Sequence, residues 1–246
     1  MPADARPTTA ASFQPPVLPR LEPDGELAHR VRHALDRKTK PPGSLGRLEA
    51  LALQMALVQD RPDPQVAHAE VRVFAGDHGV VAEGVSPYPQ AVTAQMVANF
   101  LAGGAAISVL ARQFEARLAV VDAGVAAPLG AHPMLLSGRI ADGTANFAQG
   151  PAMGVTQAVA ALDAGAAMGR GLAPQSVLVV GEMGIGNTTS SAALMATLTG
   201  LDAAECVGRG TGVDEAGLAR KTAVVRRALA VNGLDVQCSE SSAAAS

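Results

Sequence analysis

Residues 177–195 of the 246-residue chain read VLVVGEMGIGNTTSSAALM and place a strand, a glycine-rich loop and a helix in immediate succession. The sequence predicts the strand over 176–180, the loop over 181–186 and the helix over about 188–198. The strand is a short apolar run without polar alternation, which is typical of a strand buried on both faces. This stretch therefore favours an α/β fold with a parallel sheet flanked by helices.

The rest of the chain repeats this rhythm. Two further apolar runs, 69–75 and 117–122, are predicted strands. A helix is also predicted after Ser44, which is a candidate capping residue for it. The other helices predicted from apolar spacing are 25–35, about 91–101, a segment ending near 113, 154–168 and 215–231.

The composition excludes several classes of partner. The formal net charge is −3 and aromatic residues make up 2% of the chain, so we expect neither a nucleic acid nor an anionic membrane as partner. The two cysteines, Cys206 and Cys238, form neither a disulfide framework nor a metal-ligand motif. No secretory signal is evident in the first 20 residues, and apolar stretches such as 105–111 are too short to span a bilayer. A cytoplasmic protein is expected.

The glycine-rich loop has the chemistry of an anion site. Its glycines let backbone N–H groups approach a ligand, and the helix beginning near Asn187 and Thr188 adds partial positive charge. A tight turn whose glycines serve only packing is the alternative. The spacing fits the phosphate loop G-x-x-x-x-G-K-[ST] except that Asn187 replaces the lysine, and the fingerprint G-x-G-x-x-G is not met here. The loop therefore indicates an anion site outside both standard nucleotide classes.

Charged residues near this loop are open to two interpretations. A carboxylate repels an adjacent phosphate, so Glu182 suits the hydroxyls of a neighbouring sugar, unless it is a solvated loop charge. Arg209, within the segment 208–212, and Lys221, on the following helix, could each supply the cation that Asn187 does not. Solvated basic residues at the start of a helix are the alternative.

Another polar group follows the strand 69–75. Asp77 and His78 stand at its carboxyl end, where open α/β sheets bind ligands. They suit a metal or acid–base pair, or a hydrogen-bonded pair within the loop. Farther along, Tyr88 is the single tyrosine of the chain and stands between two prolines. It could cover a flat ligand or lie in a surface turn.

Six segments stand in a fixed order along the chain. They are KPPGSLGRLE at 40–49, FAGDHG at 74–79, YPQAVT at 88–93, GTANF at 143–147, GEMGIGNTT at 181–189 and GRGTG at 208–212. Together they resemble the motifs of the nicotinate-nucleotide–dimethylbenzimidazole phosphoribosyltransferase family, over residues from about 25 to about 235. The resemblance implies a Rossmann-like parallel sheet flanked by helices, a small helical subdomain with N-terminal and C-terminal parts, and a homodimer.

With this resemblance the chain divides into four expected regions. Residues 1–23 form a flexible arm, and 24–60 supply the N-terminal helices of the small helical subdomain. Residues 61–235 form the parallel α/β substrate-binding domain. Residues 236–246 form a disordered tail without family motifs.

The resemblance also implies an activity and a set of site residues. The family moves phosphoribose from nicotinate mononucleotide to 5,6-dimethylbenzimidazole, giving α-ribazole 5′-phosphate and nicotinate, and needs neither cofactor nor metal. The residues implied to hold the phosphate and ribose are Glu182, Gly184, Gly186, Asn187, Thr188 and Lys221. Ser86, Tyr88 and Gln95 are implied to line the benzimidazole pocket, with Asp77, His78 and Arg209 in supporting positions.

One part of the family pattern has no counterpart in this sequence. The family's catalytic base is a glutamate in a later segment, and Glu240 lies in a Ser/Ala-rich stretch without a surrounding motif. No residue is therefore assigned as the catalytic base. We expect a chain truncated at its C-terminal end, and the alternative function is a catalytically impaired chain that still binds the nucleotide.

Overall fold

The computed structural model describes residues 21–234. The expected arm up to residue 20 and the expected tail at 236–246 lie outside the described residues, as do Cys238 and Glu240. The chain divides into two compact units. Among the described residues, the smaller unit holds 21–68 with Ala173–Ser176, and the larger unit holds the remainder. The division into functional domains made from the sequence stays a prediction.

The smaller unit contains two helices, α1 at Glu26–Asp36 and α2 at Arg47–Val58. The prediction that Ser44 caps α2 is wrong, because α2 begins three residues later behind Gly46, which has a φ of +54° and no side-chain cap. The Ser44 N–H is instead used in a turn, where it donates to the Pro41 carbonyl at 3.2 Å. The Pro-Pro-Gly segment therefore continues as successive turns before the helix can start.

The larger unit is built on a four-stranded sheet in the order β3-β2-β1-β4. The strands are β1 at His68–Gly76, β2 at Arg117–Gly124, β3 at Leu135–Ser137 and β4 at Ser176–Met183. β1 pairs with β2 and β2 pairs with β3, both in parallel. The predicted α/β class with a parallel sheet is confirmed, whereas β3 was not predicted because three residues give too short a pattern.

Helices connect these strands. They are α3 at Val92–Leu101, α4 at Ala106–Gln113, α5 at Val155–Arg170, α6 at Asn187–Thr199, α7 at Ala203–Cys206 and α8 at Glu215–Val231, with a 3-10 helix at Gly79–Glu83. The helices predicted from apolar spacing are confirmed to within about two residues at each end. The four-residue α7 was not predicted, since it is shorter than two helical turns.

The sheet is covered unequally on its two faces. On one face, Val73 and Val120 are buried with Val97 and Phe100 of α3 in a continuous apolar cluster. On the opposite face, Arg72 donates a hydrogen bond to the Met168 carbonyl of α5. α5 itself has no buried residue among those described, so this face is covered more loosely than an apolar parallel strand predicts.

Helices α6 and α8 pack on each other beside the sheet. Small side chains such as Ala192 and Ala196 of α6 are buried against Val225 of α8. Alanine allows the helix axes to approach closely, so backbone and side-chain groups at the start of α6 come near α8. This packing brings the glycine-rich loop and the segment 208–212 to the same place.

One stretch of the described residues, Val92–Gln113, is long and apolar enough to cross a membrane by length and composition, with a mean hydropathy of 1.5. The structure interrupts it between α3 and α4, where Gly103 has a φ of +80°. Val97 and Phe100 of this stretch belong to the core beside the sheet. A single apolar stretch of this kind is weak evidence for membrane insertion.

Candidate functional site

The candidate site lies at the carboxyl ends of β1 and β4. The prediction that Glu182 belongs to the glycine-rich loop is wrong, because β4 continues beside β1 as far as Met183. β4 runs through the glycine at position 181 without a break, and a Cβ there would meet the Val73 side chain only at an ordinary 3.5 Å. Glu182 is therefore held at the end of β4, and the loop shortens to 184–186.

The loop at 184–186 packs closely against the end of β1 and the segment that follows it. A Cβ on Gly184 would lie 2.2 Å from the Gly76 carbonyl oxygen, which no side chain tolerates. Gly186 has a φ of +89°, and a Cβ there would lie 2.9 Å from Val81 Cγ2. Both glycines are thus required by the close backbone approach and the left-handed conformation.

Some backbone N–H groups in and next to the loop already donate hydrogen bonds within the protein. The Ile185 N–H donates to Thr93 Oγ1 at 3.1 Å, and the Asn187 N–H donates to the Gly184 carbonyl at 3.0 Å. α6 begins directly behind Gly186 without a side-chain cap, so the positive end of its dipole lies at the site. Thr93, which sequence reasoning missed, is a fully buried hydroxyl on an apolar helix and orients the loop.

Lys221 of α8 is the buried cation of the site. Its side chain is 1% exposed, and Nζ donates to Thr188 Oγ1 at 2.7 Å and to the Gly208 carbonyl at 3.1 Å. Within residues 21–234, Lys221 has no carboxylate partner in ion-pair distance. Burial lowers the pKa of this ammonium below its usual value. An ammonium has three N–H groups, so one remains to bind an anion.

The segment 208–212 closes the site over the ammonium. Gly210 has a φ of +55°, and a Cβ there would lie 3.1 Å from Lys221 Nζ and 2.8 Å from Thr188 Oγ1. Arg209 is exposed. It donates to the Val213 carbonyl at 3.0 Å and forms an ion pair with Glu215. Lys221 is therefore the inner cation of the site and Arg209 an outer one.

These groups surround a cavity of about 110 Å³, called here the small cavity. Its lining contains all six residues implied to hold phosphate and ribose, namely Glu182, Gly184, Gly186, Asn187, Thr188 and Lys221. Ser86, implied for the benzimidazole pocket, and Arg209, implied as a supporting residue, line it as well. The structure thus brings together residues from four separate segments of the sequence.

In the structure, the side chain of Asn187 binds the carboxylate of Glu182. Its Nδ2 donates a hydrogen bond to Glu182 Oε2. This bond fixes one carboxylate oxygen of an exposed side chain at the rim of the small cavity and leaves the other oxygen able to accept from a ligand hydroxyl.

A second cavity, of about 550 Å³ and called here the large cavity, adjoins the small one. Both are lined by Glu182 and Asn187, and the large cavity is also lined by Asp77 and His78. Asp77 Oδ2 accepts from the Ala126 N–H at 2.8 Å, whereas its buried Oδ1 has no hydrogen-bond partner among the described residues.

His78 lies between the large cavity and α6. Its Nδ1 lies 3.1 Å from Ser190 Oγ. Burial lowers the pKa of His78, and this effect exceeds the opposing effects of the Asp77 charge and the Asn187 hydrogen bond. Residues 21–234 contain no group of three or more His, Cys, Asp or Glu side chains that could hold a metal ion.

The residues implied for the benzimidazole pocket are less closely assembled. Ser86 lines the small cavity, and its Oγ accepts from the Tyr88 N–H at 3.2 Å. The Tyr88 side chain is 48% exposed, and Gln95 is exposed on α3. Their contribution to a base pocket stays a prediction.

Comparison with known proteins gives concordant matches. The family model DBI_PRT, described as phosphoribosyltransferase, matches residues 21–244. A protein of Cupriavidus necator named nicotinate-nucleotide--dimethylbenzimidazole phosphoribosyltransferase is 55% identical over 218 residues, which are 87% of this chain and 63% of that protein. A protein of the same name from Pseudomonas aeruginosa UCBPP-PA14 is 52% identical over 86% of this chain and 61% of its own length.

A solved structure matches as well. The crystal structure of CobT from Thermus thermophilus superposes with a TM-score of 0.76 at 50% identity, covering 84% of this chain and 62% of that one. The chain therefore spans less than two thirds of the length of these relatives.

The close approach at Gly184 predicts a large cost for a side chain there. Gly184→Ala is expected to lower the free energy of unfolding by about 2 kcal/mol or more, because the backbone oxygen of Gly76 cannot move aside. Urea unfolding measures this. Gly181→Ala, on the adjoining strand with ordinary spacing, is the matched control, and equal effects of the two substitutions would contradict the prediction.

The lowered pKa of His78 predicts a dependence of stability on pH. Below its ordinary pKa of about 6.5, the unfolded chain binds a proton that the folded chain does not, so His78 contributes a loss of stability as the pH falls. His78→Asn lacks this contribution. Urea unfolding of both proteins at about pH 7.5 and about pH 5.5 is expected to show the wild type losing more stability than the variant. A difference that does not change with pH would refute the assignment.

Proposed function

This chain belongs to the phosphoribosyltransferase family whose model matches residues 21–244, and on that premise we propose that it moves phosphoribose from nicotinate mononucleotide to 5,6-dimethylbenzimidazole. The products are α-ribazole 5′-phosphate and nicotinate. The names of the relatives from Cupriavidus and Pseudomonas support this pair of substrates. The reaction belongs to the assembly of the cobalamin nucleotide loop.

The buried ammonium of Lys221 carries the proposal. A lysine that is 1% exposed without a carboxylate partner in the described chain is costly unless an anion neutralises it. The small cavity, at about 110 Å³, is too small for a whole nucleotide and suits a single phosphate group. The N-terminus of α6 adds its dipole to the same place. The phosphate of the donor would therefore bind between Lys221, Thr188 and the start of α6.

Glu182 would bind the ribose in this proposal. It borders both cavities, and Asn187 holds one of its oxygens. The free oxygen would accept hydrogen bonds from ribose hydroxyls next to the bound phosphate. Ser86, Tyr88 and Gln95 would form the acceptor pocket beside it.

The chemistry needs few proton transfers. When the glycosidic bond breaks, its electron pair returns to the pyridinium nitrogen, so the leaving group departs without a general acid. The acceptor nitrogen attacks C1′ from the opposite face, with inversion, and its other ring N–H loses a proton to a base. No described residue is assigned as this base. Residues 182–188 and Lys221 supply positioning and electrostatic stabilisation of the sugar phosphate.

The assembly and location of the protein are also proposals. We expect a homodimer in the cytoplasm, as the family resemblance implies. Light scattering of the purified chain would give a mass near twice 24.8 kDa. A mass of one chain at micromolar concentration would contradict the dimer.

Removal of the buried ammonium is expected to impair donor binding. Lys221→Met should weaken the affinity for nicotinate mononucleotide about tenfold or more, because a charge-assisted hydrogen bond to the phosphate is lost. Calorimetric titration measures the affinity, and a thermal transition establishes that the variant folds. Arg220→Met, which removes an exposed cation from the preceding position of α8, is the control and should change the affinity little. Equal losses in both variants would mean that only net charge matters.

Turnover is measured separately from binding. Incubation with nicotinate mononucleotide and 5,6-dimethylbenzimidazole is expected to yield α-ribazole 5′-phosphate, detected by chromatography. Binding of the donor without any product would reject the transferase and leave a nucleotide-binding module.

A further inference from the structure

One side of β4 forms an edge of the sheet. In the order β3-β2-β1-β4, β4 stands last, so β1 is its one neighbouring strand among the described residues. The backbone N–H and C=O groups on the other side of β4 have no strand partner within residues 21–234. This side is called here the outer edge of β4. An unpaired edge is a template on which another extended polypeptide can form hydrogen bonds.

The sequence of β4 lacks the features that usually protect an edge strand. Its eight residues, SVLVVGEM, contain no lysine, arginine or proline, and the single charged residue, Glu182, stands near the carboxyl end. Soluble proteins normally shield an exposed edge with charged side chains or proline, or they keep the strand short. β4 therefore has the composition of a strand from the interior of a sheet.

Apolar side chains are exposed on both faces of the sheet at this edge. Val179 is 43% exposed and Val180 is 66% exposed. Consecutive residues of a strand point to opposite faces, so neither face is fully covered here. Val120 and Val121 of β2, a strand with a neighbour on each side, are both buried. A further layer of polypeptide is thus needed to bury β4 as β2 is buried.

A second exposed apolar surface lies on α6, the helix that follows β4. Leu194 and Leu198 are one helical turn apart and share a face, and both side chains are exposed. Leu194 also lines an apolar cavity of about 390 Å³ together with Phe147 and Leu234. Exposed apolar side chains grouped in this way are typical of a surface that binds another polypeptide.

The strand order indicates where a further strand fits. Doubly wound parallel sheets have the classic order 3-2-1-4-5-6, and the order β3-β2-β1-β4 is the beginning of it. The next position in that order is the outer edge of β4. A strand in this position is parallel to β4, and the helix that connects the two strands crosses with right-handed geometry.

The relatives contain a polypeptide of the required kind. The match covers 63% of the Cupriavidus necator protein and 62% of the Thermus structure, so more than a third of each lies outside it. The family pattern also continues after the segment 208–212, the last one that this chain shares with it. The part of the Cupriavidus protein that follows its match is called here the distal segment.

We propose that the outer edge of β4 and the exposed face of α6 form a docking surface for the distal segment, which binds in trans as a separate chain. The docked segment adds a parallel strand beside β4, and its apolar side chains cover Val179, Val180 and Leu198. This interaction does not depend on the donor or the acceptor assigned under the proposed function.

Co-expression of this chain with the distal segment tests the docking. We expect the two polypeptides to co-purify in equal amounts. Hydrogen exchange read by mass spectrometry should then show at least tenfold slower exchange of amides at 177–181 in the complex than in the chain alone. The amides of β2, which lies between two strands, are the internal control and should not change. Failure to co-purify, or a complex without protection of β4, would overturn the proposal.

A pair of matched substitutions locates the surface. Val180→Lys should weaken binding of the distal segment more than tenfold, because it removes an apolar contact and buries an ammonium. Val109→Lys makes the same change at a position of α4 that is also exposed, and it should leave binding unchanged. A thermal transition like that of the wild type establishes that each variant folds. Equal effects of the two substitutions would refute the assignment to β4.

The same variant distinguishes a second copy of this chain as the occupant. If β4 paired with β4 of another copy, light scattering of the chain alone would show a dimer that dissociates in Val180→Lys. That result would reject the distal segment as the occupant. A dimer that persists in Val180→Lys supports the proposal, because the outer edge of β4 then stays accessible. Neither result depends on product formation, so a failure of the proposed transferase is recorded separately.

Discussion

The site depends on one backbone approach, in which the Gly184 Cα packs against the Gly76 carbonyl so closely that a Cβ would lie 2.2 Å from its oxygen. This contact joins the carboxyl ends of β4 and β1. It therefore constrains the backbone of residues 184–186, which connect β4 to α6. The start of α6 and Thr188 are therefore fixed relative to Asp77. Both cavities take their shape from this junction.

Two buried charges occupy the space around that junction. Lys221 is 1% exposed and Asp77 is 4% exposed, yet neither forms an ion pair within the described chain. A protein selected only for stability would pair these charges or replace them by apolar residues.

The architecture was predicted well from the sequence, because the strands and helices that build it show clear apolar periodicity. Short apolar runs indicated β1, β2 and β4, while β3 and α7 were too short to give a pattern. The end of β4 was misplaced, since a glycine at position 181 looks like a break unless the neighbouring strand is known. The burial of Lys221 had a usable signal, because it lies in the α8 stripe with Gly217, Val224, Val225, Ala228 and Leu229. No sequence signal indicated that Asp77 Oδ1 would lack a hydrogen-bond partner among the described residues, since this results from contacts between distant segments.

The burial of Lys221 links binding of an anion in the small cavity to the stability of the folded chain. Burial without an anion disfavours the charged form of Lys221, and a bound phosphate offsets this cost as part of the free energy by which the ligand stabilises the native state. If the proposed donor is that ligand, chains in a cell depleted of it would unfold more often and be degraded sooner than chains in a cell that contains it. The supply of the proposed donor would thereby change the abundance of the protein through proteolysis.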